Sequence, residues 1–123
     1  MRARYLAAIL LAASAVSLGA NERLSMRVSP SVSFAPANLV VQATVQADNT
    51  NRAIEIIAES AEFYRSSEIP LEGEHAPRTT RLEFKGLPGG VYEVRAVLKG
   101  TGGHELASAA YVVSVVENGS VNR

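Results

Sequence analysis

The chain has 123 residues, no cysteine, no tryptophan, and twelve basic against twelve acidic side chains. That length holds one ordinary hydrophobic core rather than two, and the even charge balance lacks the basic excess that nucleic-acid binding requires. With no cysteine there is neither a disulfide framework nor the thiol on which a lipoprotein would be acylated.

The chain opens "MRARYLAAILLAASAVSLGA". Arg2 and Arg4 precede an uncharged apolar run from Tyr5 to Val16, and small residues follow. That order is the one of a secretory signal, with a basic start, an apolar centre and a small-residue cleavage site. Ser17 and Gly19 place the expected cut between Gly19 and Ala20, with Ala15 and Ser17 as a second choice. No twin-arginine pair is present, so general secretory export is the expected route. An uncleaved anchor is the competing reading, against which stands an apolar run shorter than the ~20 residues that span a bilayer. Removing residues 1–19 takes away two arginines and leaves ten basic against twelve acidic groups, a net charge near −2. The remaining basic residues are scattered, so no polybasic membrane footprint is expected.

Beyond the signal the periodicity is two rather than 3.6. "LSMRVSPSVSF" reads as a first strand interrupted by Pro30, which suits a sheet edge because proline donates nothing to a ladder. "NLVVQATVQA" puts Leu39, Val41, Ala43 and Val45 on one face against Gln42, Thr44 and Gln46, and "DNTN" at 48–51 ends the strand. "RAIEIIAES" directs Ile54, Ile56 and Ala58 inward and Glu55 and Glu59 outward; Ile57 breaks the pattern and needs a cover. A helix over "IEIIAESAEFYR" is the alternative that Ala and Glu favour, opposed by the β-branched isoleucines. Short edge strands are expected near Phe63–Ser66 and Ile69–Leu71, then a loop over Glu72–Pro77.

"RTTRLEFKG" alternates Leu82 and Phe84 against Arg81, Glu83 and Lys85, and "VYEVRAVLKG" sends Tyr92, Val94, Ala96 and Leu98 inward. The last run, "LASAAYVVSVV", is apolar on both faces, so either Tyr111 with Val113 or Ala110 with Val112 can face the core. About seven short strands in roughly 100 residues predict an all-β sandwich over 20–117, followed by a flexible tail at 118–123.

Leu87-Pro88-Gly89-Gly90 tests whether the chain holds a phosphate loop. Such a loop needs glycines between a strand and a helix, whereas these glycines lead into a strand and no Lys-Ser or Lys-Thr pair follows. The segment is instead a turn between sheets, in which Pro88 fixes its own φ and the glycines allow positive φ. Tyr92 can then bury its ring and reach back to the turn with its hydroxyl, the arrangement called a tyrosine corner.

At these residues the chain resembles fibronectin type III and bacterial immunoglobulin-like domains. "GLPGGVYEVRAVLKGTGGHELASAAYVVSV" looks like their last two strands, and a weaker similarity runs back through "SFAPANLVVQATVQADNTNRAIEIIAES". The missing core Trp and cysteine pair set it apart from antibody domains. The resemblance implies an adhesion, spacer or protein-binding module in a bacterial periplasm or outside the cell, whose partner is another envelope or surface protein.

Chemistry-bearing residues are few. His75 follows Glu72 and Glu74, while His104 belongs to another loop and cannot join a site if the two loops lie at opposite ends. Asp48 alone compensates a divalent ion poorly. Ser66 and Ser67 lie outside any glycine elbow, and glutamates such as Glu83 and Glu93 pair more naturally with Arg81 and Arg95 than with each other. No catalytic residue, cofactor or metal is therefore expected. A carbohydrate or small-ligand domain is the alternative function, but the aromatic residues are few and mostly assigned to the core. Phe63, Tyr64 and Arg65, together with the loop that carries His75, are the expected partner-binding surface, because adjacent strand residues face opposite sides and one ring must leave the core. Asn118-Gly119-Ser120 is formally a glycosylation acceptor.

Overall fold

The computed structural model describes residues 23–117. The expected signal peptide at 1–19 and the tail at 118–123 lie outside them. Eight strands follow in order: β1 (Leu24–Ser29), β2 (Val32–Phe34), β3 (Ala37–Val45), β4 (Ala53–Glu59), β5 (Tyr64–Pro70), β6 (Thr79–Leu87), β7 (Gly90–Lys99) and β8 (Glu105–Val116). Single 3-10 turns occupy Gly73–His75 and Thr101–Gly103. Among the described residues no helix is long and apolar enough to cross a membrane.

One sheet has the order β1-β3-β6 and the other β2-β8-β7-β4-β5. All pairings are antiparallel except that of β2 with β8. This is an immunoglobulin-like β-sandwich. The first expected strand is divided in two. Pro30 removes a ladder donor after Ser29, and the chain leaves β3 of one sheet to join β8 of the other.

The alternating segments bury the residues expected of them. Leu39, Val41, Ala43 and Val45 from β3, Ile54, Ile56 and Ala58 from β4, and Tyr92, Val94, Ala96 and Leu98 from β7 meet Leu24, Phe84, Leu87, Val113 and Val115 in one core. The helix considered over residues 54–65 does not form; Ala53–Glu59 pairs on both sides, with β5 and β7. Central position explains Ile57 too: it points to the outer face yet is buried, between Ser66 on β5 and Arg95 on β7. The two short pieces expected around 63–71 are one strand, β5, whose small polar residues Ser66 and Ser67 blur its alternation.

For β8 the structure selects the odd residues. Ala109, Val113 and Val115 are buried and Val112 is outside; Tyr111 shares the inner parity but lies at the open margin of the core, half-exposed.

Candidate interaction surface

The strand directions sort the loops between two ends. The β4–β5 turn and the β6–β7 corner lie at one end, and the β3–β4, β5–β6 and β7–β8 loops at the other. His75 and His104 therefore occupy the same end, so the separation by opposite ends considered for them does not apply. Two strands, β6 and β7, separate their loops, and an even number returns the chain to the end it left. Sharing an end does not make them ligands: among the described residues no group of three His, Asp or Glu could hold a metal ion.

Phe63, Tyr64 and Arg65 sit at the far end from His75, so the expected partner-binding residues do not form one surface. Phe63 is half-buried and meets the Tyr92 ring edge-on, with centroids 6.2 Å apart at 73°. The Arg65 guanidinium stacks 5.0 Å from the Phe63 centroid and donates from Nη1 to the Lys85 carbonyl at 2.8 Å, bridging the two sheets. Two of the three residues are thus occupied within the fold. Tyr64 alone turns outward, level with Glu59 and Glu93 across the sheet.

The β6–β7 corner supports this end. Tyr92 is wholly buried, and its hydroxyl donates to the Pro88 carbonyl at 2.6 Å. Burial pushes the phenol above its ordinary pKa, because the charged form would lose its hydration. The two turn glycines differ. Gly90 takes φ 155°, whereas the Gly89 N–H donates to Glu117 Oε2 at 3.1 Å, and a Cβ there would displace that exposed side chain.

The opposite end is organised by Asn51, the one fully buried polar residue among those described. Its Nδ2 donates to the Gln46 carbonyl at 3.0 Å, and its own carbonyl accepts from the Gly73 N–H at 3.1 Å, tying the β3–β4 loop to the β5–β6 loop. Asp48 receives the Thr50 hydroxyl at 2.6 Å and the Thr50 N–H at 2.8 Å. Those bonds, the hydroxyl first, hold its carboxyl below the usual range. An open groove of about 380 Å³ runs between these loops, lined by Asn49, Arg52, Leu71, Glu72, Glu74 and His75. Arg52 Nη1 donates to the carbonyls of Asn49 and Asn51 at 2.6 and 2.9 Å, which fixes the guanidinium at the wall of the groove.

The surface that stands out is one the sequence reading did not single out. Side chains of Val32, Phe34, Val91 and Val112 are 62–65% exposed, and Val116 is 42% exposed. Strand register places all five on the outer face of the five-stranded sheet. Val32 and Val91 both lie level with Ser114, and Phe34 lies level with Val116. Val112 is two residues below on β8. They surround Ser114 as an apolar cluster at the β2–β8–β7 edge, and the largest exposed apolar patch of a monomer is often functional. The clue in the sequence was the doubly apolar run of β8, where a strand with one wet face should alternate.

Beyond the cluster the same face is charged. Arg95 lies between Glu93 and Glu59 at 3.4 and 3.8 Å, and Lys99 between Glu55 and Glu68 at 2.9 and 3.8 Å. The short contact with Glu55 raises the Lys99 pKa.

No protein-family profile matches the chain, and no characterised protein is a recognisable relative by sequence. Solved structures are similar in fold. A superoxide reductase (neelaredoxin) from Ignicoccus hospitalis superimposes with TM-score 0.55 at 13% identity, covering 85% of this chain and 86% of that one. The PKD domain of an M14-like peptidase from a Thermoplasmatales archaeon gives 0.54 at 16% identity, covering 77% and 94%. A family 76 glycoside hydrolase from a bovine Bacteroides thetaiotaomicron strain gives 0.56 at 18% identity, over 78% of this chain but only 21% of the hydrolase. Proteins of such different kinds share the scaffold, so the likeness speaks for the fold alone.

Proposed function

We propose that this chain is an exported, non-enzymatic immunoglobulin-like module that acts by protein contact, in a bacterial periplasm or at the cell surface, with another envelope protein as partner. The observation that carries the reading is the exposed apolar cluster of Val32, Phe34, Val91, Val112 and Val116 on the outer face of one sheet. Isolated exposed apolar residues are ordinary, but five gathered around one serine on a sheet face are the form a docking surface takes. The cluster replaces Phe63 and Arg65 as the contact site, since the first packs on Tyr92 and the second bridges the sheets, and Tyr64 stands on the same face beyond Glu93 and Glu59. Export rests on the N-terminal sequence, and the absence of a nominated catalytic residue or cofactor belongs to the same reading.

The test is site-specific photo-crosslinking of the full-length tagged protein in its native envelope, with the crosslinker at Phe34 or Val112 and, as control, at Arg81 on the other sheet. One protein captured reproducibly from the first two positions and not from the third is the expected result. Identical capture from all three, or none, overturns the assignment of the cluster. Mass spectrometry of the same sample checks export, through the loss of the first nineteen residues.

A further inference from the structure

We propose that the outer face of the three-stranded sheet binds an acidic polysaccharide, a polymer of the uronic-acid type whose carboxylates are separated by hydroxyl-bearing rings. The site lies on the opposite sheet from the apolar cluster and does not depend on it.

Basic residues that are scattered in the sequence are gathered here by strand register. Arg27 on β1 and Arg81 on β6 lie level with Gln42 on β3, which stands between them. The two arginines are therefore two strand spacings, about 10 Å, apart. Two residues along each strand, toward the end that carries His75, comes a row of hydroxyls formed by Ser25, Thr44 and Thr79. All of these side chains are exposed. Beyond the hydroxyls, Arg23 and Arg78 line an open groove of about 220 Å³ together with Gln46, and Arg23 is roughly 13 Å along β1 from Arg27. Arg23 is held by Asp48 at 3.6 Å. Among the described residues, Arg27, Arg78 and Arg81 make no ion pair or side-chain hydrogen bond. Glu83, level with Val40, lies two residues past Arg81 on the side away from the groove, so the end of the face around the hydroxyl row keeps an excess of positive charge.

The chemistry of the face selects the occupant. Its cations are arginines, whose planar forks bind carboxylates through paired hydrogen bonds. They are sparse, and the hydroxyl and amide groups between them both donate and accept hydrogen bonds. That spacing fits acid groups set apart by sugar hydroxyls better than the close-set phosphates of a nucleic acid. Bases would also need exposed rings to stack on, and the one ring on these strands, Phe84, is buried. A protein partner would need an apolar centre, yet none of the large exposed hydrophobic residues belongs to β1, β3 or β6. For the same reason the face has nothing to insert below the headgroups of a membrane.

The test uses the full chain, as processed by the cell that exports it, in biolayer interferometry at about 0.15 M salt. The probes are polygalacturonate, neutral dextran, poly-L-glutamate of matched charge, and vesicles containing phosphatidylglycerol. The expected result is binding of polygalacturonate and none of dextran. Arg27→Gln with Arg81→Gln weakens that binding about threefold to thirtyfold, the worth of two exposed charge contacts, while the melting temperature stays within a few degrees. Lys99→Gln, on the other sheet, leaves the affinity unchanged. Thr44→Val with Thr79→Val weakens the hold on polygalacturonate and leaves that on poly-L-glutamate as it was. Equal affinity for poly-L-glutamate, or a threonine pair without effect, overturns the polysaccharide as occupant. Tighter binding of the vesicles through the same arginines overturns it in favour of a lipid surface. Binding that ignores Arg27 and Arg81, or that Lys99→Gln weakens as much, overturns the site itself.

Discussion

Replacing Tyr92 by Phe removes one oxygen atom and little else. The ring stays in the core, keeps its edge-on contact with Phe63, and loses only the hydroxyl that donates to the Pro88 carbonyl at 2.6 Å. A hydrogen bond of this kind contributes a net of about 0.5–1.5 kcal/mol. Pro88 itself is exposed, so water can take over its carbonyl, and the expected loss is about 1 kcal/mol rather than the larger cost of a stranded buried acceptor. For a domain of this size that is a fall of roughly 4–8 °C in Tm. Urea titration and thermal melts followed by circular dichroism measure both quantities.

The variant also has a pH signature. The folded-state pKa of Tyr92 is raised above 10.0, chiefly by burial, with the Ser60 side chain and Arg65 acting in the opposite sense. Below that pH the phenol is neutral in both states and adds no pH dependence. As pH rises past the unfolded value, the unfolded chain ionises first, and the native protein loses stability. Tyr92→Phe lacks this contribution, so the gap between the two proteins narrows above pH 10. A variant within about 0.3 kcal/mol of the native protein at pH 7, or a gap that widens in alkali, refutes the role assigned to the hydroxyl.

Two further substitutions test the other end of the sandwich and the outer face. Asn51→Ala leaves the Gln46 carbonyl without its Nδ2 donor, while the bond from the Gly73 N–H to the backbone carbonyl of residue 51 survives; the expected cost is about 1–3 kcal/mol by urea denaturation, and amide exchange at Gly73 should change little. Lys99 is held charged by Glu55, so its folded pKa lies above its ordinary value. The stabilisation is complete below the unfolded pKa and is lost as pH rises through the folded one. Denaturation curves of Lys99→Met should therefore differ from the native protein at neutral pH and converge with it in strong alkali.

The alternation of β3, β6 and β7 made most of the fold legible, because each of those strands buries one face and wets the other. The pattern failed where that condition failed. Ile57 and Val97 face outward in strands flanked on both sides, where neighbouring side chains cover them. In β8 the outward residues Val112 and Val116 are as apolar as the inward Val113 and Val115, so register had no signature. The site was less legible still. Exposure of Val32 and Phe34 depends on β2 leaving the first sheet for the edge of the second, a pairing of residues some eighty positions apart. The adjacency of Phe63, Tyr64 and Arg65 drew attention to a segment whose two better anchors turn out to brace the sheets against each other.

The division of the first strand also determines how the domain bears tension. β2 runs parallel to β8, and the flanking bonds from Ser114 N to the Ser31 carbonyl and from Ala35 N to the Val116 carbonyl, at 3.0 and 2.8 Å, extend the contact at both ends. A pull that separates residues 23 and 117 drags these two strands along their length in opposite directions, loading the rungs together instead of opening them one by one. Near its C-terminal end the sandwich is thus closed by a shear joint, the geometry that resists a pull along the chain.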